Sequence, residues 1–215
     1  MPADTPPSRF PGGGGSLRDP RAHRAALDAA VELLAEVGYA GLTMAAIAAR
    51  SGVSKPTLYR WWRNVAELVH EAISEPDSGI PPDTGDLETD LRSFVTRLAA
   101  YYARPEVAAA TPGLICDLMG PQAPRPAAAY PANNVYLDRV NGIFARAAAD
   151  GRLRPDADTG AAANMVIGAV VSEALGRLWS GRPPIDDPGK TAEGIVSVIL
   201  RGLAAPDAQG AADEG

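Results

Sequence analysis

A chain of 215 residues, 46% hydrophobic and 21% charged, can bury a sizeable core and has the composition of a globular protein. Its formal net charge of -6 admits nucleic acid as a partner only where cations are gathered locally, and no run of 18 apolar residues marks a membrane span. A single cysteine, Cys116, excludes an internal disulfide and fits a reducing, cytoplasmic setting.

In chain order, residues 1–18 are rich in Pro and Gly and read as a disordered tail without the apolar centre of a signal peptide. The GGGG run at 12–15 lacks the following Lys-Ser/Thr of a phosphate loop. Helix 1 is expected from Asp19 as N-cap and Pro20 in the first position to Gly38, with Leu27, Ala30, Val31, Leu34 and Val37 as its apolar stripe. Thr43, Ser54 and Asn64 read as N-caps of three further helices. Thr43 to Trp62, TMAAIAARSGVSKPTLYRWW, forms two short helices about a turn at Gly52, with Pro56 tolerated in the first turn of the second. That is helix-turn-helix geometry, whose second helix enters the DNA major groove. Arg50, Lys55, Arg60 and Arg63 fall between Arg50 and Arg63 with no acid among them, a local positive patch on an acidic protein.

IAARSGVSKPTLYRWW, preceded by EVGYAGLTM and followed by NVAELVHEAI, resembles the signature of the tetracycline-repressor (TetR) family of bacterial transcriptional regulators. The resemblance runs from Arg21 to about Ile73, a quarter of the chain. It implies that Thr43, Ser54, Lys55, Pro56, Thr57, Tyr59, Arg60 and Arg63 belong to a surface facing double-stranded operator DNA. Thr43 resembles the family's phosphate-binding threonine, and Tyr59 its backbone-contacting tyrosine. Lys55 then positions the protein on phosphate, while Thr57 and Arg60 are better placed to read bases. Val65 stands where the family often carries lysine, with Arg63 as the candidate substitute, and Trp62 reads as core.

PDSGIPPDTG, residues 76–85, breaks the composition between a DNA-binding domain at 19–75 and a second helical domain at 86–204. Helix 5 carries Leu87, Leu91, Phe94, Leu98 and Tyr101 on one face. Pro105 and Pro112 are expected to punctuate short helices up to Gly120, and PQAPRPAAAYP reads as a loop. Helix 7 spans about Ala132 to Asp150. Helix 8, about Asp158 to Trp179, is apolar all round, with Ile167, Val171, Ala174 and Leu178 on one side and Gly168, Ser172 and Gly176 on the other. A helix with two apolar faces needs two partners. Met165, Gly168, Ser172, Gly176 and Trp179 are therefore assigned to a homodimer seam with Ile195 and Ile199 of helix 9, about Pro188 to Leu203. Residues 205–215 form a polar tail.

Enzyme chemistry finds little support. His23 and His70 lie on different helices without ligand spacing, so no metal or cofactor is expected. Asp156, Asp158, Asp186 and Asp187 read as capping groups, and Cys116 as an inert buried thiol. The family resemblance implies a pocket for an unidentified small-molecule effector, with Phe94, Leu98, Tyr101, Tyr102, Met119, Tyr136 and Asn164 as candidate wall residues. The expectation is an all-α protein of about nine helices, a homodimeric regulator more often repressing than activating, with no membrane association. The competing reading is a helical ligand-binding protein without DNA-binding activity.

Overall fold

The computed structural model describes residues 19–74, 83–119 and 131–203. Among them are nine α-helices and no strand: α1 (Pro20–Val37), α2 (Met44–Ser51), α3 (Lys55–Trp61), α4 (Val65–Ile73), α5 (Leu87–Ala103), α6 (Pro105–Met119), α7 (Pro131–Ala149), α8 (Thr159–Trp179) and α9 (Pro188–Leu203). A single 3-10 turn, Tyr39–Gly41, joins α1 to α2. The expected tails and most of the PQAPRPAAAYP loop lie outside the described residues.

The chain starts its helices with side chains that satisfy orphan amides. Asp19, Thr43, Ser54, Asn64 and Asp158 accept hydrogen bonds from Arg21, Ala46, Thr57, Glu67 and Ala161 N–H at 3.0, 3.1, 3.3, 2.8 and 2.9 Å. Asp86 caps α5 through Thr89 N–H, and Asp187 caps α9 through Lys190 N–H. Asp156 and Asp186 depart from the capping expectation. They pair with Arg154 at 3.6 Å and Arg177 at 3.0 Å.

Two buried clusters form. The first joins α1–α4 through Leu34, Ile47, Leu58, Leu68 and Val69, and takes in Val107, Ala110 and Leu114 of α6. The second joins α5, α7, α8 and α9 through Phe94, Val95, Val140, Phe144, Val166 and Val196. The hydrophobic core therefore does not divide where the chain does: α6 lies beyond the linker, yet packs on α1 and α4. Tyr39 seals that junction. Its ring lies against Gly113, where an added Cβ would overlap it, and its hydroxyl donates to Asp117 Oδ2 at 2.5 Å.

Several expectations fail in detail. Pro112 does not end a helix but sits inside the continuous α6, where packing against α1, α4 and α5 outweighs the lost amide. The buried stripe of α1 is Ala26, Ala29, Ala30, Leu33 and Leu34, while Val37 is 50% exposed. Alanines at those positions bring neighbouring helices closer than the larger Leu27 and Val31 would allow. On α8 the buried face is Ala162, Ala163, Val166, Val170 and Ala174: Ala174 is buried as expected, while Val166 and Val170 lie one position before the expected Ile167 and Val171. Cys116 is exposed on α6, not buried. The helix α8 is also long and apolar enough, by length and composition alone, to cross a membrane: its mean hydropathy is 1.2, with 28% of that stretch buried.

Candidate functional site

The α2–α3 unit is fixed by its turn. Gly52 adopts φ 71, ψ 4, a left-handed conformation that glycine alone enters without cost, and its N–H donates to Ala48 C=O. The chain then reverses, and Ser54 opens α3. Ser54 Oγ also lies 2.9 Å from Thr57 Oγ1, so the hydroxyl expected to read bases is engaged in the cap. Pro56 occupies the first turn, as expected. Leu58 is fully buried and Trp61 nearly so, which fixes the rotation of α3 about its axis. Lys55, Pro56, Tyr59 and Arg60 consequently face outward, with Tyr59 56% exposed.

A cluster of rings anchors the far end of α3. His23 of α1 stacks on Trp62 at 4.9 Å and meets Trp61 edge-on at 5.4 Å. The indole N–H of Trp62 donates to Glu71 Oε2 of α4 at 2.6 Å. His23 Nε2 lies 3.0 Å from Glu71 Oε1, within ion-pair distance but off hydrogen-bond geometry. Trp62 is 3% exposed, as core. Nothing in the spacing of three separate helices signals that His23, Trp62 and Glu71 meet.

The positive patch is smaller than the sequence suggests. Arg50 folds back on α1, donating to Glu36 at 2.8 and 2.7 Å and to Glu32 at 3.1 Å. Its hydrogen bond holds the Glu36 carboxyl below its usual range, and the carboxylates raise Arg50 in turn. Arg63, exposed, lies 3.7 Å from Glu67, whose carboxylate also accepts the Arg63 backbone N–H. Lys55 and Arg60 have no ion-pair partner among the described residues, so their charge is directed wholly to solvent or ligand.

A second concavity lies between the two clusters. This cavity of about 320 Å³ is lined by His70 and Ile73 of α4, Leu98, Tyr101 and Tyr102 of α5, and Thr111, Leu114 and Ile115 of α6. Tyr136 and Leu137 of α7 and Asn164, Ile167 and Val171 of α8 complete the wall. Of the expected wall residues, Leu98, Tyr101, Tyr102, Tyr136 and Asn164 are brought together here. Asn164 is exposed rather than the buried amide the apolar run suggested. Phe94 is fully buried in the second cluster, edge-on to Tyr136 at 6.3 Å, and does not reach the cavity. The Met119 side chain lies outside the described residues. His70 was missed because its residue type drew attention only as a possible metal ligand, and nothing local to α4 marks it as facing a cavity. Burial pushes the His70 imidazole down from its usual value and pushes the Tyr101, Tyr102 and Tyr136 phenols up.

A third surface runs along α8 and α9. An open groove of about 980 Å³ is lined by Met165, Gly168, Ser172, Gly194, Ile195 and Ile199, among others. An adjoining face carries Gly168, Ser172, Gly176 and Trp179. Met165, Trp179 and Val198 are 64%, 96% and 62% exposed. Arg177 closes one end, paired with Glu173 at 2.7 Å and Asp186 at 3.0 Å.

Two family descriptions match the chain. "Bacterial regulatory proteins, tetR family" covers residues 26–72, and "Tetracyclin repressor-like, C-terminal domain" covers residues 81–190, more than half of the chain. The chain belongs to the tetracycline-repressor family. Among curated TetR-family relatives it is similar to the uncharacterized regulator YdeS of Bacillus subtilis, 38% identical over 94 residues, 43% of this chain and 48% of that protein. It is 36% identical over 98 residues to the DNA-binding transcriptional repressor TetR of Mycobacteroides abscessus, 44% of this chain and 49% of that one. The chain thus spans about half the length of the curated relatives it matches. A crystal structure of a TetR transcriptional regulator from Agrobacterium tumefaciens shares the fold, with a TM-score of 0.66 at 24% identity over 89% of this chain and 98% of that chain.

Proposed function

We propose that this TetR-family chain is a cytoplasmic, homodimeric, sequence-specific DNA-binding regulator, a repressor released from a near-palindromic operator by a small-molecule effector. The observation that carries this reading is α3. Its inner face is locked by Leu58, Trp61 and Trp62, and its outer face offers Lys55, Tyr59 and Arg60 with both cations free of ion pairs among the described residues. A helical ligand-binding protein that had abandoned DNA would have no use for that arrangement. Thr43, Ser54, Thr57 and Arg63 flank the face, with Arg63 drawn toward Glu67 and therefore the weakest of the phosphate candidates.

The dimer supplies two copies of α3. The exposed apolar face of α8 and α9 supports it, since Trp179, Met165 and Val198 on a lone chain would stand in water. An added Cβ at Gly168 or Gly176 meets nothing within 4 Å, so the fold of one chain does not require these glycines. Close approach by a partner helix does. Glu173 and Arg177 within α8 favour a second copy over a bilayer as the cover.

Effector control rests on linkage. A ligand in the cavity walled by α4 shifts the protein from its operator by its differential affinity for two arrangements of that wall. Fluorescence anisotropy with DNA from upstream of the protein's own gene, with and without candidate effectors, tests the reading. Saturable, salt-sensitive binding to that DNA over scrambled DNA is expected, and equal affinity for both would refute sequence-specific regulation.

A further inference from the structure

Among the described residues, the cavity between α4, α5, α6, α7 and α8 has a wall without formal charge. Its described polar groups are three phenol hydroxyls, the His70 imidazole, the Thr111 hydroxyl and the Asn164 amide, set among six aliphatic side chains and Leu98. Thr111 spends its proton on Val107 C=O at 2.6 Å and presents only lone pairs. Two cations act on wall residues without lining the cavity themselves. Arg104 lies over the Tyr101 ring at 5.8 Å, paired with Glu106 at 2.7 Å and donating to Ile73 C=O, so its charge is already matched. The charge of Arg97 is felt at Tyr136, whose phenol it lowers against the rise from burial.

We infer that the ligand of this cavity is a neutral, ring-containing organic molecule with one or two hydrogen-bonding groups, and that anionic counterparts of the same shape are rejected. The inference rests on reading this cavity as the effector site, and it is independent of DNA binding. Three reasons carry it. An ion placed here would leave water without a counter-ion among the described wall residues, so its lost hydration is not repaid. The rings of Tyr101, Tyr102 and Tyr136 meet at 5.2 and 6.2 Å, tilted to one another, and present edges and faces that suit a flat ring. The volume of about 320 Å³ lies at the lower end of ligand pockets, which run from roughly 300 to 1,000 Å³. The imidazole, lowered by burial, and the phenols, raised by burial, stay uncharged at neutral pH and keep the wall so.

Calorimetric titration of the full chain with 2-naphthol and with 2-naphthoate at neutral pH tests this. The two probes share a shape and differ in charge. The naphthol is expected to bind at least tenfold more tightly. Val171→Phe and, separately, Ile167→Phe narrow the cavity, and either should abolish naphthol binding while circular dichroism reports an intact fold. Equal or tighter binding of the naphthoate would overturn the inference and make Arg97 and Arg104 anion-recruiting groups. Binding of neither probe would overturn it too, as would naphthol binding that survives in a folded cavity variant. Operator anisotropy on the same samples reports separately on the regulator reading, which stands or falls by DNA binding alone.

Discussion

At the scale of single residues, the groups that matter most are those whose partners the sequence conceals. Asp90 is 5% exposed, yet it is an anion. Burial alone would raise its carboxyl, but the Thr84 N–H at 2.7 Å, the Thr84 hydroxyl, the Gly85 N–H and Arg146 outweigh burial and hold it below its usual range. It thereby pins the chain entering α5, helped by Asp83, which pairs with Arg139 and Arg146. A carboxyl whose pKa is depressed by folding stabilises the protein above its unfolded value, about 3.9, and loses that contribution as pH falls through the lower folded value. Asp90→Asn should therefore lower stability by on the order of 1–3 kcal/mol at neutral pH, since it leaves buried N–H groups facing a weaker acceptor. The gap between wild type and variant should begin to narrow as pH falls below about 4 and go on narrowing through the lower folded value. Denaturant melts across pH measure it, and a gap that does not change with pH would disprove the role.

At the scale of elements, the caps and turns were legible because they are local. Asp19, Thr43, Ser54 and Asn64 act on amides two or three residues away, and Gly52 on its own backbone. Non-local matters were not legible. Pro112 looked like a helix end, but α6 passes through it because its faces are buried against α1, α4 and α5. Five of the thirteen described wall residues were recognised, three of them ring-bearing positions on α5 and α7, whereas His70 and Ile73 required knowing that α4 abuts α6. Arg50 counted toward a positive patch until α1 brought Glu32 and Glu36 beside it.

The same element level yields a sharp test of the junction between α6 and the 3-10 turn. A methyl at Gly113 would overlap Tyr39 Cδ1 and sit 2.6 and 2.7 Å from Cε1 and Cγ, so Gly113→Ala must displace the ring and break its bond to Asp117. A destabilisation of about 1–3 kcal/mol is expected. In a Tyr39→Ala background the clash is gone, and the same change should stabilise by up to about 1 kcal/mol, as alanine ordinarily does in a helix. That reversal of sign in a double-mutant cycle identifies the packing of ring on glycine. The same penalty in both backgrounds would mean that Tyr39 does not rest on Gly113.

At the scale of the whole molecule, the proposal needs two chains. Gly168→Glu or Ser172→Glu introduces a charge on the exposed small-residue row without disturbing the single chain, since nothing packs within 4 Å of a Cβ at Gly168. Sedimentation velocity should show a wild-type dimer and a folded monomeric variant, because the charge is buried unpaired only in the dimer. A wild type already monomeric at micromolar concentration would contradict the seam. Loss of the dimer should also weaken operator binding, because one α3 reads only half of a site whose halves lie about 34–36 Å apart or somewhat more.

The central claim is that α3 reads DNA, with Lys55 on phosphate and Arg60 on a base. Fluorescence anisotropy of wild type, Lys55→Ala and Arg60→Ala on operator and scrambled DNA, across a salt series, tests it most directly. Lys55→Ala should weaken both DNAs alike and reduce the salt slope by about one for each phosphate that each half-site leaves without its cation. Arg60→Ala should cost on the order of 1–3 kcal/mol per base read on operator DNA and leave scrambled DNA nearly unaffected. Equal weakening of both DNAs by Arg60→Ala would move Arg60 to the phosphate backbone, and no effect of either substitution would contradict the account at its root.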